Sequence, residues 1–482
     1  MVVEAATAAG SGSPLAVGAG AGDTCVHSYR LSTVVPGSVT GEDVDYELTD
    51  ADLLHKLHYL RAVHVFRAPA PGAAAALTIR EIKEPMFPWL DLYFPVSGRL
   101  RRREAAAGAG EGESDAKEAA GGRPYVRCND CGVRIVEAAC DATVEEWLEA
   151  EAERGGQCKV LAYDKVIGPE LFFSPLLYVQ VTTFKCGGMA LGFTWAHVIG
   201  DIPSAAACFS TWAQLFSGNK APAPTLRDPL ATLPPPSAAA VPASATAAPP
   251  PSVKPTAAPV GDHWVVPTTR DMVAFSFHVT EQQLKGLHQL AGGAPAGGHR
   301  RVGTFELVAA VVWRALAAIR GSDEEAATRT VTVVKATDPA MAAPGGGGRL
   351  GLTNEHSIGH VVATGGSSPA AADVGKLAAL LAGARLDGAG AVAAALAGDA
   401  DVVVYGANLT FVDAEGLDVY GGLELGAWRP AHVEYAVDGV GDGGAVVVHR
   451  DGGGRGRTVA AVVRRGEAER LRAALRDALR AA

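Results

Sequence analysis

The sequence predicts an α/β protein of two domains of similar size with a cleft between them, and three observations predict it. At 482 residues the chain is long enough to bury more than one hydrophobic core. Apolar residues recur at helical spacing in some windows and in strand-like runs in others, and both patterns occur in each half. Between the halves lies a Pro/Ala/Ser-rich segment, 222–259, with two Pro-Pro-Pro runs. Its composition predicts an extended linker rather than a packed element. The expected division is therefore a disordered N-terminus at 1–24, a domain at 25–216, a linker at 217–263 and a second domain at 264–482.

In the first half, 26–35 predicts a strand. Residues 48–65 predict a helix, because Asp50 can cap it and Leu53, Leu57, Leu60 and Val63 recur at helical spacing. Its histidines, His55, His58 and His64, form no i,i+4 ligand pair on one face and read as helix-surface or packing residues. A second helix is expected at 79–94, stopped by Pro95, with 96–100 turning into a strand. Residues 104–122 are a low-complexity insertion. A strand at 133–138 and a helix at 143–152, capped by Thr143, follow.

Next come a strand, a turn at Cys186-Gly187-Gly188, a second strand and a helix starting near Pro203. In the second half the pattern gives a strand at 272–279 and a helix at 281–290 that Thr280 can cap. A strongly apolar helix at 304–319 and a strand at 331–336 lead to glycine-rich loops at 344–351 and 387–398. Strands are expected at 402–411, 431–437, 445–449 and 458–463, before a final helix with Leu471, Leu475 and Leu479 on one face.

Composition excludes several functions. A net charge of −10 argues against nucleic acid as a partner, and the run Arg99–Arg103, interrupted by Leu100, is too short to rescue the idea and reads as the cap of an element. Seven cysteines without a framework predict reduced thiols in a cytosol-facing compartment. Cys128 and Cys131 have a zinc-like spacing but no second pair, so the expectation is a strand edge and no metal. The N-terminus lacks a basic region and reads as a poor signal peptide. No window of about 18 apolar residues is free of charge, the best, 305–319, carrying Glu306 and Arg314, so no transmembrane segment is expected.

One stretch offers chemistry. His197-Val-Ile-Gly-Asp201 stands where the second strand of the predicted hairpin meets its helix. A histidine there has its backbone fixed by a sheet and its ring free to face a cleft, a good place for a general base. His197 is the candidate base, and Asp201 is the candidate residue that turns back and holds the loop. A Gly-x-Ser-x-Gly elbow is missing, Cys186 has no basic neighbour beyond Lys185, and the glycine-rich loops lack the Lys-Ser/Thr of a phosphate-binding loop.

These residues resemble the plant BAHD acyl-CoA-dependent acyltransferases. The resemblance rests on Pro175-Leu-Leu-x-Val-Gln-Val-Thr182, the Cys186-Gly-Gly turn, His197-x-x-x-Asp201, Thr304-Phe-Glu306, Trp313-Arg314 and Tyr93-Phe-Pro-Val-Ser-Gly-Arg99-Leu100, in the family's order, across about 26–465. It implies two chloramphenicol-acetyltransferase-like α/β domains with a solvent channel between them. It also implies His197 as the base that deprotonates an alcohol or amine, acyl-CoA as the substrate, no tightly bound cofactor, and Asp201 pointing away to hold the loop, often through an arginine.

The departures narrow the resemblance. Ile202 and Pro203 follow the aspartate where the family usually has Gly, and the second hallmark reads Glu424-Leu-Gly-Ala-Trp-Arg-Pro430, with only Gly426 and Pro430 kept strictly. Gly351-Leu-Thr-Asn-Glu-His356 replaces another family segment. With Arg30-Leu-Ser-Thr-Val-Val-Pro36 and Leu53-Leu-His-Lys-Leu-His-Tyr-Leu60, these features resemble the eceriferum/glossy branch. That branch implies a role in very-long-chain fatty acid elongation for cuticular wax. The partner would be a ketoacyl-CoA synthase at the cytosolic face of the endoplasmic reticulum, and acyl transfer at the histidine would be dispensable. The alternative is an active acyl-CoA-dependent transferase with His197 as base.

Overall fold

The computed structural model describes residues 25–69, 77–103, 122–227, 251–291, 302–336, 351–363, 368–386, 388, 390–392 and 400–480. The expected disordered N-terminus, most of the 104–122 insertion, the centre of the Pro-rich segment and most of the two glycine-rich loops lie outside the described residues. Two large sheets organise the chain. The first has six strands in the order Val26–Val34, Val133–Cys140, Leu177–Phe184, Met189–Ala196, Tyr59–Phe66 and Pro430–Asp438. The second has seven, in the order Met272–Val279, Arg457–Arg464, Ala445–Arg450, Leu409–Asp413, Thr330–Lys335, Ser357–Val362 and Arg385–Leu386.

The halves are interlocked. Pro430–Asp438 belongs to the second half in sequence but closes the edge of the first sheet, pairing antiparallel with Tyr59–Phe66. Strand Lys254–Pro255 pairs with Val402–Val403, and Val253, Thr256 and Trp264 are buried, so the C-terminal flank of the Pro-rich segment is packed. At its other flank Arg227 reaches Asp52 at 2.8 Å. Among the described residues no helix is long and apolar enough to cross a membrane.

The hairpin at the centre is as expected. Leu177–Phe184 and Met189–Ala196 pair antiparallel from Leu177↔Trp195 to Thr183↔Met189. All eight residues of Met189–Ala196 are buried, because the sheet is covered on both faces. On one of them Phe193 stacks on Phe209 of the helix Ile202–Phe216, centroids 3.9 Å apart.

Three expectations are corrected. Residues 48–65 are not one helix but the short helix Asp50–Leu54 followed by the strand Tyr59–Phe66. The helix is capped by Thr49, not Asp50, in a box closed by Asp52. The leucine spacing misled because the strand is buried at all eight positions, Arg61 and His64 included, so its apolar residues fall on both faces and mimic a helical period. His64 therefore lies in a strand, its Nε2 donating to the Val419 carbonyl at 3.3 Å.

Residues 79–94 form two helices, Ile79–Lys83 and Met86–Leu92, broken at Pro85, and a 3-10 turn Phe94–Ser97 follows. The strand expected at 402–411 is two, Val402–Val403 and Leu409–Asp413. Between them Gly406, at φ +88°, turns the chain against Gly441.

Candidate functional site

The Met189–Ala196 strand delivers the chain into one 3-10 turn, His197–Ile199, and then into the helix Ile202–Phe216. Gly200 permits this tight exit, since a Cβ there would lie 2.8 Å from Ser204 Cβ. Trp195 Nε1–H donates to the Gly200 carbonyl at 2.9 Å and His197 N–H to the His58 carbonyl at 3.1 Å, so the turn is pinned from both sides.

The ring of His197 does not face a cleft. It has no solvent exposure. Its Nε2 lies 2.9 Å from the hydroxyl of Tyr405, from the turn between the two short strands of the second half. Its Nδ1 has no partner beyond its own residue. His55 stacks on it, ring centroids 4.5 Å apart and planes 18° from parallel, while His356 stands edge-on at 5.7 Å. A cavity of about 280 Å³ in the groove between the halves is lined by Tyr59, Lys165, Arg270 and Gly439, and stops short of His197.

Electrostatics follow from this burial. Desolvation, reinforced by repulsion from His356 and His58, lowers the His197 pKa to about 3. Burial likewise lowers His58 to about 4 and holds His55 well below the usual range. Burial raises the pKa of Tyr405, so its phenol stays protonated. In either tautomer Nε2 is occupied, either accepting the Tyr405 proton or donating its own. One ring nitrogen thus has a phenol where an acceptor would sit, and the other, Nδ1, is buried away from solvent.

Asp201 has the opposite character. Its carboxylate caps the helix, accepting from Ser204 N–H at 3.1 Å through Oδ1. Oδ2 accepts from Glu355 N–H at 3.0 Å and lies 3.6 Å from His356 Nδ1. Burial pushes its pKa up, but the His356, Ser204 and Glu355 donors outweigh that and hold it below the usual carboxylate range. Asp201 therefore points away from His197 and fastens the 351–356 segment, with His356 in the place where an arginine was expected. Its own N–H donates to the Thr353 carbonyl at 2.9 Å. Asn354 completes the tie, donating from Nδ2 to Asp52 Oδ1 at 2.9 Å and to the His197 carbonyl at 3.0 Å.

Sequence reasoning placed His197 and Asp201 here and missed Tyr405, His356, Asn354 and Asp52. The replaced family segment at 351–356 was the available signal for two of these. Tyr405 was hidden inside a strand expectation, although the following Gly406-Ala407-Asn408 is turn-like.

The eroded hallmark at 424–430 is elsewhere. Leu425 and Trp428 exchange backbone hydrogen bonds of 3.0 Å around Gly426, and Glu424 pairs with Arg429. This turn starts the Pro430–Asp438 strand. Pro430 aligns with Phe66, seven residues from Tyr59, which aligns with Ala196. At about 3.3 Å per residue the hallmark is about 23 Å from the histidine turn, so its erosion bears on the sheet edge.

The profile of the Transferase family matches residues 25–337. The chain is 36% identical over 430 residues to Protein ECERIFERUM 26-like of Arabidopsis thaliana, covering 88% of this chain and 89% of that protein. It is 34% identical over 455 residues to Protein ECERIFERUM 26 of the same plant, covering 94% and 96%. Among solved structures it is similar to vinorine synthase, with a TM-score of 0.61 at 16% identity over 92% of this chain and 96% of that one. F. graminearum TRI101 complexed with coenzyme A and deoxynivalenol gives 0.61 at 15% identity over 89% and 97%. The fold is thus that of the chloramphenicol-acetyltransferase-like acyltransferases, with two α/β halves.

Proposed function

This chain belongs to the BAHD transferase family, and from that premise we propose that it acts in very-long-chain fatty acid elongation for cuticular wax. It works as an accessory to a ketoacyl-CoA synthase rather than as a transferase acting through His197. One observation carries this reading: His197 is fully buried and its Nε2 is taken by Tyr405. A base in that setting meets neither acyl-CoA nor an acceptor. The likeness to ECERIFERUM proteins over most of the chain supports the wax assignment. The protein would reach the cytosolic face of the endoplasmic reticulum peripherally, through its partner, and its ligand would be the acyl-CoA or acyl chain being elongated.

The second reading, an acyl-CoA-dependent transferase acylating a hydroxyl or amine, is favoured by the retention of His197 at a strand end. It requires Tyr405 to leave Nε2. Yeast expressing a plant condensing enzyme, this protein, or both distinguishes the two. The accessory reading expects the longest acyl chains only in the strain carrying both. If the protein adds nothing to the condensing enzyme's products, the reading fails, and steady CoA release by purified protein with acyl-CoA and a long-chain alcohol would put the second reading in its place.

A further inference from the structure

Away from the histidine turn, three side chains from two distant parts of the chain converge. Cys158 comes from the 3-10 turn Gln157–Leu161, and His432 and Glu434 from the strand Pro430–Asp438. One ligand atom of each lies within 4.8 Å of the others, and Cys158 Sγ is 3.6 Å from His432 Nε2. Zinc bonds of about 2.3 Å to sulfur and about 2.0 Å to nitrogen, at a tetrahedral angle, place two such atoms about 3.5 Å apart. The pair already has nearly that separation.

Charge around the cluster points the same way. Arg61 is the buried guanidinium beside it, with Nη1 on both oxygens of Asp438 at 3.0 and 2.8 Å and Nη2 only 3.5 Å from Glu434 Oε1. Glu151 is also close, held by the N–H groups of Gly156 at 3.0 Å and Gln157 at 2.6 Å and by the Ser276 hydroxyl. Two carboxylates, Asp438 and Glu434, thus share one guanidinium, and Glu151 is engaged by its own donors. Glu434, 1% exposed, keeps an oxygen, Oε2, without a hydrogen-bond partner. A buried carboxylate oxygen left in this way is costly unless a cation or donor meets it.

We propose that Cys158, His432 and Glu434 bind a divalent zinc-type cation, with a fourth coordination position toward the neighbouring cavity. The mixed sulfur, nitrogen and oxygen donors suit zinc rather than calcium or magnesium. A dication with one thiolate and one carboxylate is neutral as a unit, so burial does not oppose it. The cavity, about 510 Å³, is lined by His432, Glu151 and Ser276 and offers an entry path. The ion would staple a turn of the first half to the strand that the second half inserts into the first sheet.

Chelator-stripped full-length protein, titrated with Zn2+ and with Co2+, tests the site. One equivalent of Zn2+ should bind and raise the melting temperature, and the Co2+ form should show a thiolate-to-cobalt charge-transfer band. Cys158→Ser should abolish that band and weaken Zn2+ binding roughly tenfold or more, and His432→Gln should weaken binding as well. Cys131→Ser, at the Cys-x-x-Cys pair, should change neither. The wild-type cobalt spectrum is decisive even if a variant folds poorly. Absence of stoichiometric binding, a cobalt form without the thiolate band, or Zn2+ binding unchanged in Cys158→Ser would overturn the proposal.

Discussion

Replacing Asp201 by alanine removes the fastener of the histidine turn and should destabilise the protein well before it alters lipid products. Asp201 is 4% exposed, and its carboxylate holds two backbone N–H groups and His356 at once. Losing a helix cap costs about 1 kcal/mol. A hydrogen bond to a charged acceptor adds about 1.5–3 kcal/mol, and stranding its buried partners brings the total to about 3–5 kcal/mol. Asp201→Asn should fall between, because its amide oxygen can still cap Ser204 while its amide N–H confronts the Glu355 N–H. Urea unfolding at neutral pH, followed by tryptophan fluorescence, gives both values. If alanine and asparagine both stay within about 0.5 kcal/mol of wild type, as at an ordinary surface position, the anchoring role is refuted.

Tyr405→Phe leaves His197 Nε2 buried without its 2.9 Å partner. It should cost about 1–3 kcal/mol in the same unfolding assay with no CoA release from acyl-CoA; steady release would show the phenol to be a plug over a working base. Acid should destabilise the protein through its buried imidazoles. His197 and His58 have folded pKa values of about 3 and about 4 against 6.5 when unfolded, so below pH 6.5 the unfolded chain takes up protons first. Stability is therefore full above that pH and falls as pH drops toward the folded values. From pH 7.5 to 5.5 each imidazole contributes about 1.4 kcal/mol of loss, about 3 kcal/mol for the two. Unfolding midpoints that do not move across that range would contradict the burial of the cluster.

The hairpin and the histidine turn were legible because their signals are local: alternating or continuous apolar runs, a Gly-Gly turn, and Asp201-Ile202-Pro203 opening a helix. The capping box of Thr49 and Asp52 is equally local, but the leucine spacing of a doubly buried strand outweighs it as a pattern. What encloses His197 was not legible. Tyr405 and His356 arrive from more than 150 positions away in sequence, and nothing in a local pattern says which ring will meet which. The same holds for Cys158 with His432 and Glu434, whose spacing resembles no metal motif. The placement of Pro430–Asp438 on the first sheet is a tertiary choice that a division by composition cannot see.

The central claim is that His197 is structural rather than catalytic, and one measurement reaches it directly. His197→Ala is expressed beside a plant condensing enzyme in yeast, with acyl-chain lengths and the variant's protein level measured together. The account predicts that the longest chains persist at wild-type proportion per unit of protein. Their disappearance while the protein level holds would contradict it.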